Sequence, residues 1–596
     1  MPRRWRTASY WALAVVFAAV YLGSLFSPPL LDDADSTHAE AAREMLVSGD
    51  YVTLHINGVR YLEKAPLPYW LVAFSYRIFG VNEFASRLPM AVSVLLLGVL
   101  ALVWGRQAFG ERAGIYAAAF IYTAAGVFLF TRILIPDVLL SLLIAASLYY
   151  FLTALEFHEV WRWYAGYACM ALGVLTKGLI ALAFPGGAAF IYLIVTGEWR
   201  RWREFRLVSG LALFLLIAAP WHILAGIRNT GGQNDHGFFW FYFVNEHFLR
   251  FLGKRYPRDY SKLPWALYWS LHLVWLFPWS LYLPSAVRTI IDVRKEKTST
   301  GFTARTRLLC WILAGLILVF FAISTNQEYY TFPAYLPLLM LLAEGIARCE
   351  SADCDQGVRK GWLRISAGVI AVIGIAASVT LFALLWKSRF LPFEPDIGNV
   401  LAKHNMATDT LSTSHMLDLS YESFAALRLP AIIAAIVLLL APSVSFLLRL
   451  RRRHYAATWA MALGMAVFLI AAHIALGRFG PYLSSKALAQ QIAERSRPGD
   501  RVMIYGDQAF GSSLLFYLRR PIELVDGRTT SMWFGSTFPD APKIYLTDAD
   551  LQIDWSGTGR VFLFVPPHLK AKVDALLPKR FVVAEVSGKY VYSNRP

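Results

Sequence analysis

A chain of 596 residues that is 57% hydrophobic and only 16% charged, with a mean hydropathy of +0.47, has too little polar surface to fold as a water-soluble globule. Its formal net charge of +17 does not point to nucleic acid, because the basic residues sit between apolar runs rather than on one stripe or domain. The cysteines Cys169, Cys310, Cys349 and Cys354 match no zinc spacing and fall in no segment assigned to the outside, which argues against a disulfide framework.

The chain opens with Pro2-Arg3-Arg4-Trp5-Arg6 and an apolar run. No small-residue cleavage site precedes Asp32, so the run reads as an uncleaved first helix. Apolar stretches long enough to cross roughly 30 Å of hydrocarbon at 1.5 Å per residue then recur. They predict about thirteen spans, at 10–27, 88–105, 113–131, 137–155, 163–176, 178–196, 207–226, 264–287, 308–325, 330–347, 365–386, 427–448 and 455–477. The break at Lys177 is the least marked, since the runs on either side could be one.

Alternate short loops carry the basic residues: Arg106 and Arg112, Arg162, Arg200 to Arg206, Arg294 to Arg307, Arg359 to Arg364, and Arg449 to Arg453. The positive-inside rule places these loops and the N-terminus in the cytoplasm. An odd number of crossings then leaves the C-terminus outside. Three longer outer segments follow, 28–87, 227–263 and 387–426, within a membrane domain of residues 1–477. The first is rich in charge and holds a helix-like stretch from Ser36 to Val47 stopped by Gly49.

From residue 478 the composition becomes that of a small α/β domain on the outer side, residues 478–596. An amphipathic helix is expected over Ser484 to Glu494, buried strands over Arg501 to Tyr505 and Val561 to Val565, and a strand pair over Val582 to Tyr592 turned at Gly588.

Ionisable groups at membrane depth are costly, so several at one interface are read as functional. Asp33, Asp35, Glu63 and Asp137 are acidic and lie on the expected outer face. Arg43, Arg60, Lys64, Lys177, Arg250, Lys254, Arg255 and Arg258 supply cations there, suited to neutralising a phosphate by point charge or bidentate fork. Blander readings stand beside these: Arg255 and Arg258 as headgroup contacts, Asp137 as a helix cap, Asp32 as solvated. Glu63 and His247 are the pair that would take a divalent metal, although no close-spaced ligand motif accompanies them. No cofactor is required by this reading.

These residues also resemble a known family, the membrane glycosyltransferases that include the protein O-mannosyltransferases and the bacterial aminoarabinose transferases of lipid A. The resemblance runs along nearly the whole chain. It is most specific at Ala39-Glu40-Ala41-Ala42-Arg43-Glu44-Met45, Ser48-Gly49-Asp50 and Arg60-Tyr61-Leu62-Glu63-Lys64-Ala65-Pro66. It continues at Ile135-Pro136-Asp137, Leu175-Thr176-Lys177-Gly178, Pro220-Trp221, Glu246-His247 with Arg250-Phe251, and Ser324 to Pro333 with Tyr329 and Tyr330.

The resemblance implies an all-α polytopic GT-C fold with an outer α/β domain, in a bacterial inner membrane. It also implies an inverting transferase that takes its sugar from a polyprenyl (undecaprenyl) monophosphate. The implied partners are that donor, membrane lipids, and a lipid A, protein or other envelope acceptor. Lys64, Lys177, Arg43, Arg60 and Arg250 would hold the donor phosphate, while Tyr61, Glu63, Glu246, His247 and Tyr330 would line the substrate. A carboxylate of the first outer loop would take the acceptor proton. Where the family has an Asp-Glu pair this chain has Ala34 and Asp35, with Asp33 one residue earlier. The role is therefore shared between Asp35, slightly favoured, Asp33 and Asp137. A transporter or flippase of lipid-linked saccharides is the alternative, weakened by the lack of inverted repeats.

Overall fold

A computed structural model describes residues 3–257, 263–284, 287, 301–350, 358–394, 397, 422–528 and 530–596. Arg258 and most of the expected loop 387–426 lie outside these residues. A helix falls within each expected span, although α11 fills only the first half of 264–287, and α2 and α3 lie in the outer segment 28–87: α1 (Arg3–Phe17), α2 (Ala34–Ser48), α3 (Leu67–Phe79), α4 (Glu83–Phe109), α5 (Glu111–Thr123), α6 (Ala125–Phe130), α7 (Asp137–Phe157) and α8 (Val160–Lys177) come first. Then follow α9 (Ile180–Thr196), α10 (Leu207–Arg228), α11 (Trp265–Trp275), α12 (Phe302–Ile323), α13 (Tyr335–Cys349), α14 (Val358–Lys387), α15 (Arg428–Leu450) and α16 (His454–Arg478). Among the described residues, nine helices are long and apolar enough to cross a bilayer. The chain is a multi-span membrane protein.

Local chemistry sets the breaks. The third expected span, 113–131, is split at Ala124, whose extended backbone separates α5 from α6. Between α8 and α9 stands Gly178 at φ +80°, and a Cβ there would lie 2.0 Å from Nε2 of His247. The two runs flanking Lys177 are thus separate helices, because only glycine fits that turn. Helix α2 ends at Gly49 in the left-handed region, as its sequence indicates.

One device went unread. Strands β1 (His55–Ile56) and β2 (Val59–Arg60) form a hairpin turned by Asn57 at φ 55° and Gly58 at φ 73°. The Asn57-Gly58 dipeptide is its signal.

Polar groups separate to the two ends of the bundle. At the start of α7, Asp137 pairs with Lys177, whereas near its end Glu156 pairs with Arg305. A helix of 21 residues puts those ends about 30 Å apart, the thickness of a hydrocarbon core. Around the second end Arg307 pairs with Glu344, Arg449 with Glu350, and Arg201 with Glu198. The arginines read as topology signals also tie helix ends together.

The C-terminal unit is a six-stranded sheet. Strands β3 (Arg501–Tyr505), β4 (Glu523–Val525), β5 (Tyr545–Leu546) and β6 (Val561–Val565) are parallel, and β7 (Phe581–Val586) with β8 (Lys589–Ser593) adds an antiparallel hairpin, in the order β5-β4-β3-β6-β8-β7. Buried runs such as Val561 to Val565 suit strands covered on both faces. The short β4 and β5 escaped the sequence reading because two or three residues carry no periodicity. This unit docks on the first two outer segments: Asn57 exchanges two hydrogen bonds with Ile522 and Lys486 pairs with Glu83 in the first, and Phe534 stacks on Phe241 of the second at 4.2 Å.

Candidate active site

At the Asp137 end, four elements bring charge together. Lys64 Nζ lies 2.7 Å from Glu63, whose other oxygen accepts from Arg255 at 2.8 Å. Arg255 also donates to Glu246 at 2.7 Å, and Glu246 accepts from Arg250 at 3.1 Å. Arg250 in turn donates to the Tyr330 hydroxyl at 2.8 Å. Lys177 Nζ donates to Asp137 at 2.6 Å and sits over the rings of Tyr329 and Tyr330, at 5.3 and 4.8 Å. Tyr61 donates to Glu63 at 3.2 Å. A run of cations thus meets carboxylates and tyrosines at one helix end, with Lys64 acting through space on Asp137 and Lys177.

Glu246 and His247 reach this site from a π-helical segment, Trp240–Leu249, whose wide turn is common at functional positions. His247 Nδ1 meets the Tyr242 carbonyl at 2.5 Å. Burial pushes the Glu63 carboxyl up, but Lys64 and Arg255 outweigh it and hold it at about 2.

Arg255, named from the sequence among the outer-face cations but weighed chiefly as a headgroup contact, is instead buried and bridges Glu63 to Glu246. Its bond to Glu246 spans nine residues, but that to Glu63 spans 192, which no local pattern carries.

Two expected phosphate ligands lie elsewhere. Arg43 is closed onto Glu40 of its own helix by two hydrogen bonds of 2.7 and 2.6 Å. Arg60 forks onto Asp540 and stacks over Phe538, both in the C-terminal unit. Neither joins the cluster: each has a nearer carboxylate.

The acidic loop is sorted residue by residue. Asp35 is buried, accepting from Arg87 at 2.9 Å, from Leu134 N–H at 2.9 Å and from Leu31 N–H at 3.1 Å. That carboxylate, favoured from the sequence as the base, is spent on holding three segments together. Asp32 is not merely solvated, since it accepts from Ser513 and Ser485 hydroxyls at 2.6 and 2.7 Å and pairs with Lys589 at 2.8 Å. Asp33 differs: its carboxylate is accessible and has no hydrogen-bond or ion-pair partner among the described residues. The enclosing protein, then neighbouring Asp507, push it up to about 6 against Lys64. Asp137 keeps one oxygen, Oδ2, buried and without a partner.

A family model described as dolichyl-phosphate-mannose-protein mannosyltransferase matches residues 63–224. The undecaprenyl phosphate-alpha-4-amino-4-deoxy-L-arabinose arabinosyl transferase 2 of Proteus mirabilis (strain HI4320) is 30% identical over 394 residues, covering 64% of this chain and 67% of its own. The chain belongs to this arabinosyl transferase family. Its fold matches the crystal structure of ArnT from Cupriavidus metallidurans in the apo state with a TM-score of 0.78 at 25% identity, covering 99% of this chain and 98% of that one. The same protein bound to undecaprenyl phosphate matches with a TM-score of 0.79 at 24% identity, over 100% and 98% of the two chains.

As a member of the arabinosyl transferase family, the chain is a polyprenyl-phosphate-sugar-dependent glycosyltransferase of GT-C architecture. A metal fits this member's residues poorly. Both Glu63 oxygens and Nδ1 of His247 are engaged, and among the described residues no group of three or more His, Cys, Asp or Glu converges.

Proposed function

We propose that the protein transfers a 4-amino-4-deoxypentose from undecaprenyl phosphate to an envelope acceptor of the lipid A kind, on the extracytoplasmic face of the inner membrane. The observation that carries the reading is the convergence of Lys64, Lys177, Arg250, Arg255 and Tyr330 beside Asp137, with the accessible Asp33 carboxylate within electrostatic range of Lys64. The cations neutralise the lipid phosphate as it leaves; the tyrosine hydroxyl orients it.

An acceptor oxygen attacks the anomeric carbon from the face opposite the phosphate. The new C–O bond forms as the anomeric C–O(phosphate) bond breaks, and undecaprenyl phosphate departs with the electron pair, inverting the centre. A hydroxyl acceptor passes its proton to Asp33; a phosphate acceptor has none to lose, and the carboxylate then orients the sugar. Asp137 fixes Lys177 through its ion pair. Transport of lipid-linked saccharide falls away as an alternative, because the family to which the chain belongs transfers glycosyl groups.

The test uses the full chain in detergent with a radiolabelled undecaprenyl-phosphate sugar and an envelope lipid extract. Wild type releases undecaprenyl phosphate and labels a lipid; Lys64→Ala and Asp33→Asn each lose at least about a hundredfold in kcat/KM. With a hydroxyl acceptor the rate rises with pH through about 6, as Asp33 gives up its proton. Full activity in both variants overturns the reading.

A further inference from the structure

The loop from Leu30 to Ser36 is gripped from the C-terminal unit at Leu30, Asp32, Asp33 and Ser36. Leu30 N–H donates to the Tyr517 hydroxyl at 2.8 Å, and Asp32 N–H donates to the Leu483 carbonyl at 2.7 Å. The Asp32 carboxylate takes the Ser513 backbone N–H at 2.9 Å in addition to its two serine hydroxyls and Lys589. Next in line, Asp33 N–H donates to Ser512 Oγ at 2.7 Å, and the Ser36 hydroxyl meets the same Oγ at 2.7 Å. Ser512 is fully buried, at 0% exposure, so no water substitutes for it.

Asp33 itself has φ 68° and ψ −123°, a conformation that suits glycine and strains an L-residue. An ordinary turn would relax to negative φ and carry the side chain away. These hydrogen bonds hold the backbone on both sides of the residue and leave its side chain alone. Asp32 and Asp35 are consumed by partners, and Asp33 is what the arrangement exposes.

We infer that Ser512 of the C-terminal unit is a positioning residue for the transferase: its hydroxyl clamps the Asp33 amide so that the Asp33 carboxylate faces Lys64 across the substrate. The outer domain is thereby part of the catalytic apparatus rather than an appendage. The groups that act on the Asp33 carboxylate come from three directions: Asp507 from the loop after β3, Lys64 and Glu63 from the loop after β2, and Asp32 from its own segment. A slackened turn changes all of these distances at once.

The inference rests on the role proposed for Asp33, and the experiment separates the two. Full-length Ser512→Ala, Ser36→Ala and Asp33→Asn are compared with wild type in detergent, with the undecaprenyl-phosphate sugar as donor and a hydroxyl-bearing lipid as acceptor, across about pH 4.5 to 8. Ser512→Ala is expected to lower kcat at least about tenfold and leave donor KM within about twofold, since the cation cluster is untouched. The acid limb of its profile moves down from about 6 towards the ordinary carboxylate range, as Asp33 swings out of the enclosing protein into water and away from Asp507. Ser36→Ala removes only the second bond to Ser512 Oγ and gives a smaller shift of the same sign.

A Ser512→Ala enzyme with the wild-type kcat and profile overturns the inference, as does a loss that follows only the folded fraction. Should Ser512→Ala fail to fold, a wild-type profile in Ser36→Ala overturns it. An active Asp33→Asn removes the role assigned to Asp33 itself; an inactive Asp33→Asn beside a normal Ser512→Ala removes only the clamp.

Discussion

Arg255 shows how much one side chain can carry when charges are buried. It is 7% exposed and stands between Glu63 and Glu246, which are 8% and 5% exposed. Replacing it by alanine leaves two carboxylates in a poor dielectric with fewer counter-charges, a loss of about 3–5 kcal/mol for a broken buried pair. Arg255→Ala is expected to melt well below wild type in detergent. Its Glu63 carboxyl rises from about 2, because Arg255 is among the groups that hold it down. The stabilisation is fully present above the ordinary carboxyl value of 4.5 and is lost progressively as the pH falls from there to about 2, where folded Glu63 is protonated. A thermal melt of the variant matching wild type at neutral pH refutes this account. The neighbouring acidic triplet teaches the complementary lesson: Asp32, Asp33 and Asp35 share a residue type but not a task, and hydrogen-bond partners separate them.

At the scale of elements, the junction of α8 and α9 is the most constrained. Gly178 sits at φ +80° with His247 Nε2 2.0 Å and the Tyr242 hydroxyl 2.9 Å from where a Cβ would be. His247 cannot simply swing aside, since its Nδ1 is held by the Tyr242 carbonyl. Gly178→Ala is therefore expected to cost about 1–3 kcal/mol in backbone strain and displace the π-helical segment that carries Glu246. A melting curve with donor KM reads both; wild-type values for each contradict the packing described. Most of the elements themselves were legible beforehand. Long apolar runs and positions such as Gly49 and Gly588 are local signals, and the expected strands 501–505 and 561–565 match β3 and β6. Strands β4 and β5 were not, because each is only two or three residues long and pairs with strands distant in sequence, whereas the β1–β2 hairpin carried a local signal in Asn57-Gly58 that went unread.

The whole molecule is organised along one axis. Carboxylates and cations of the candidate site occupy one end of α7 and the Arg305 and Arg307 pairs the other. With the arginine-rich end in the cytoplasm, Ile553, exposed on the C-terminal unit, faces the outside, and exposed Arg203 faces the cytosol. A membrane-impermeant maleimide applied to intact spheroplasts is expected to label Ile553→Cys and to spare Arg203→Cys until the cells are opened. The reverse pattern inverts the topology and removes the proposed outer-face reaction.

Composition and spacing alone were enough to establish a polytopic helical protein, its C-terminal α/β unit and its family resemblance, because hydrophobic period, span length and short motifs are written in neighbouring residues. The same reading gathered Lys64, Lys177, Asp137, Arg250 and Tyr330 as candidates. Tertiary structure decided which of them meet, which carboxylate stays unpaired, and that Arg43 and Arg60 face other partners. It also decided that Ser512 lies against Asp33 and Arg255 between Glu63 and Glu246. Apart from the local Arg43–Glu40 and Arg255–Glu246 pairs, those outcomes depend on partners far apart along the chain, such as Asp33 with Ser512, Arg60 with Asp540 and Arg255 with Glu63, which meet only once the fold has brought them together and burial has stripped the water from them.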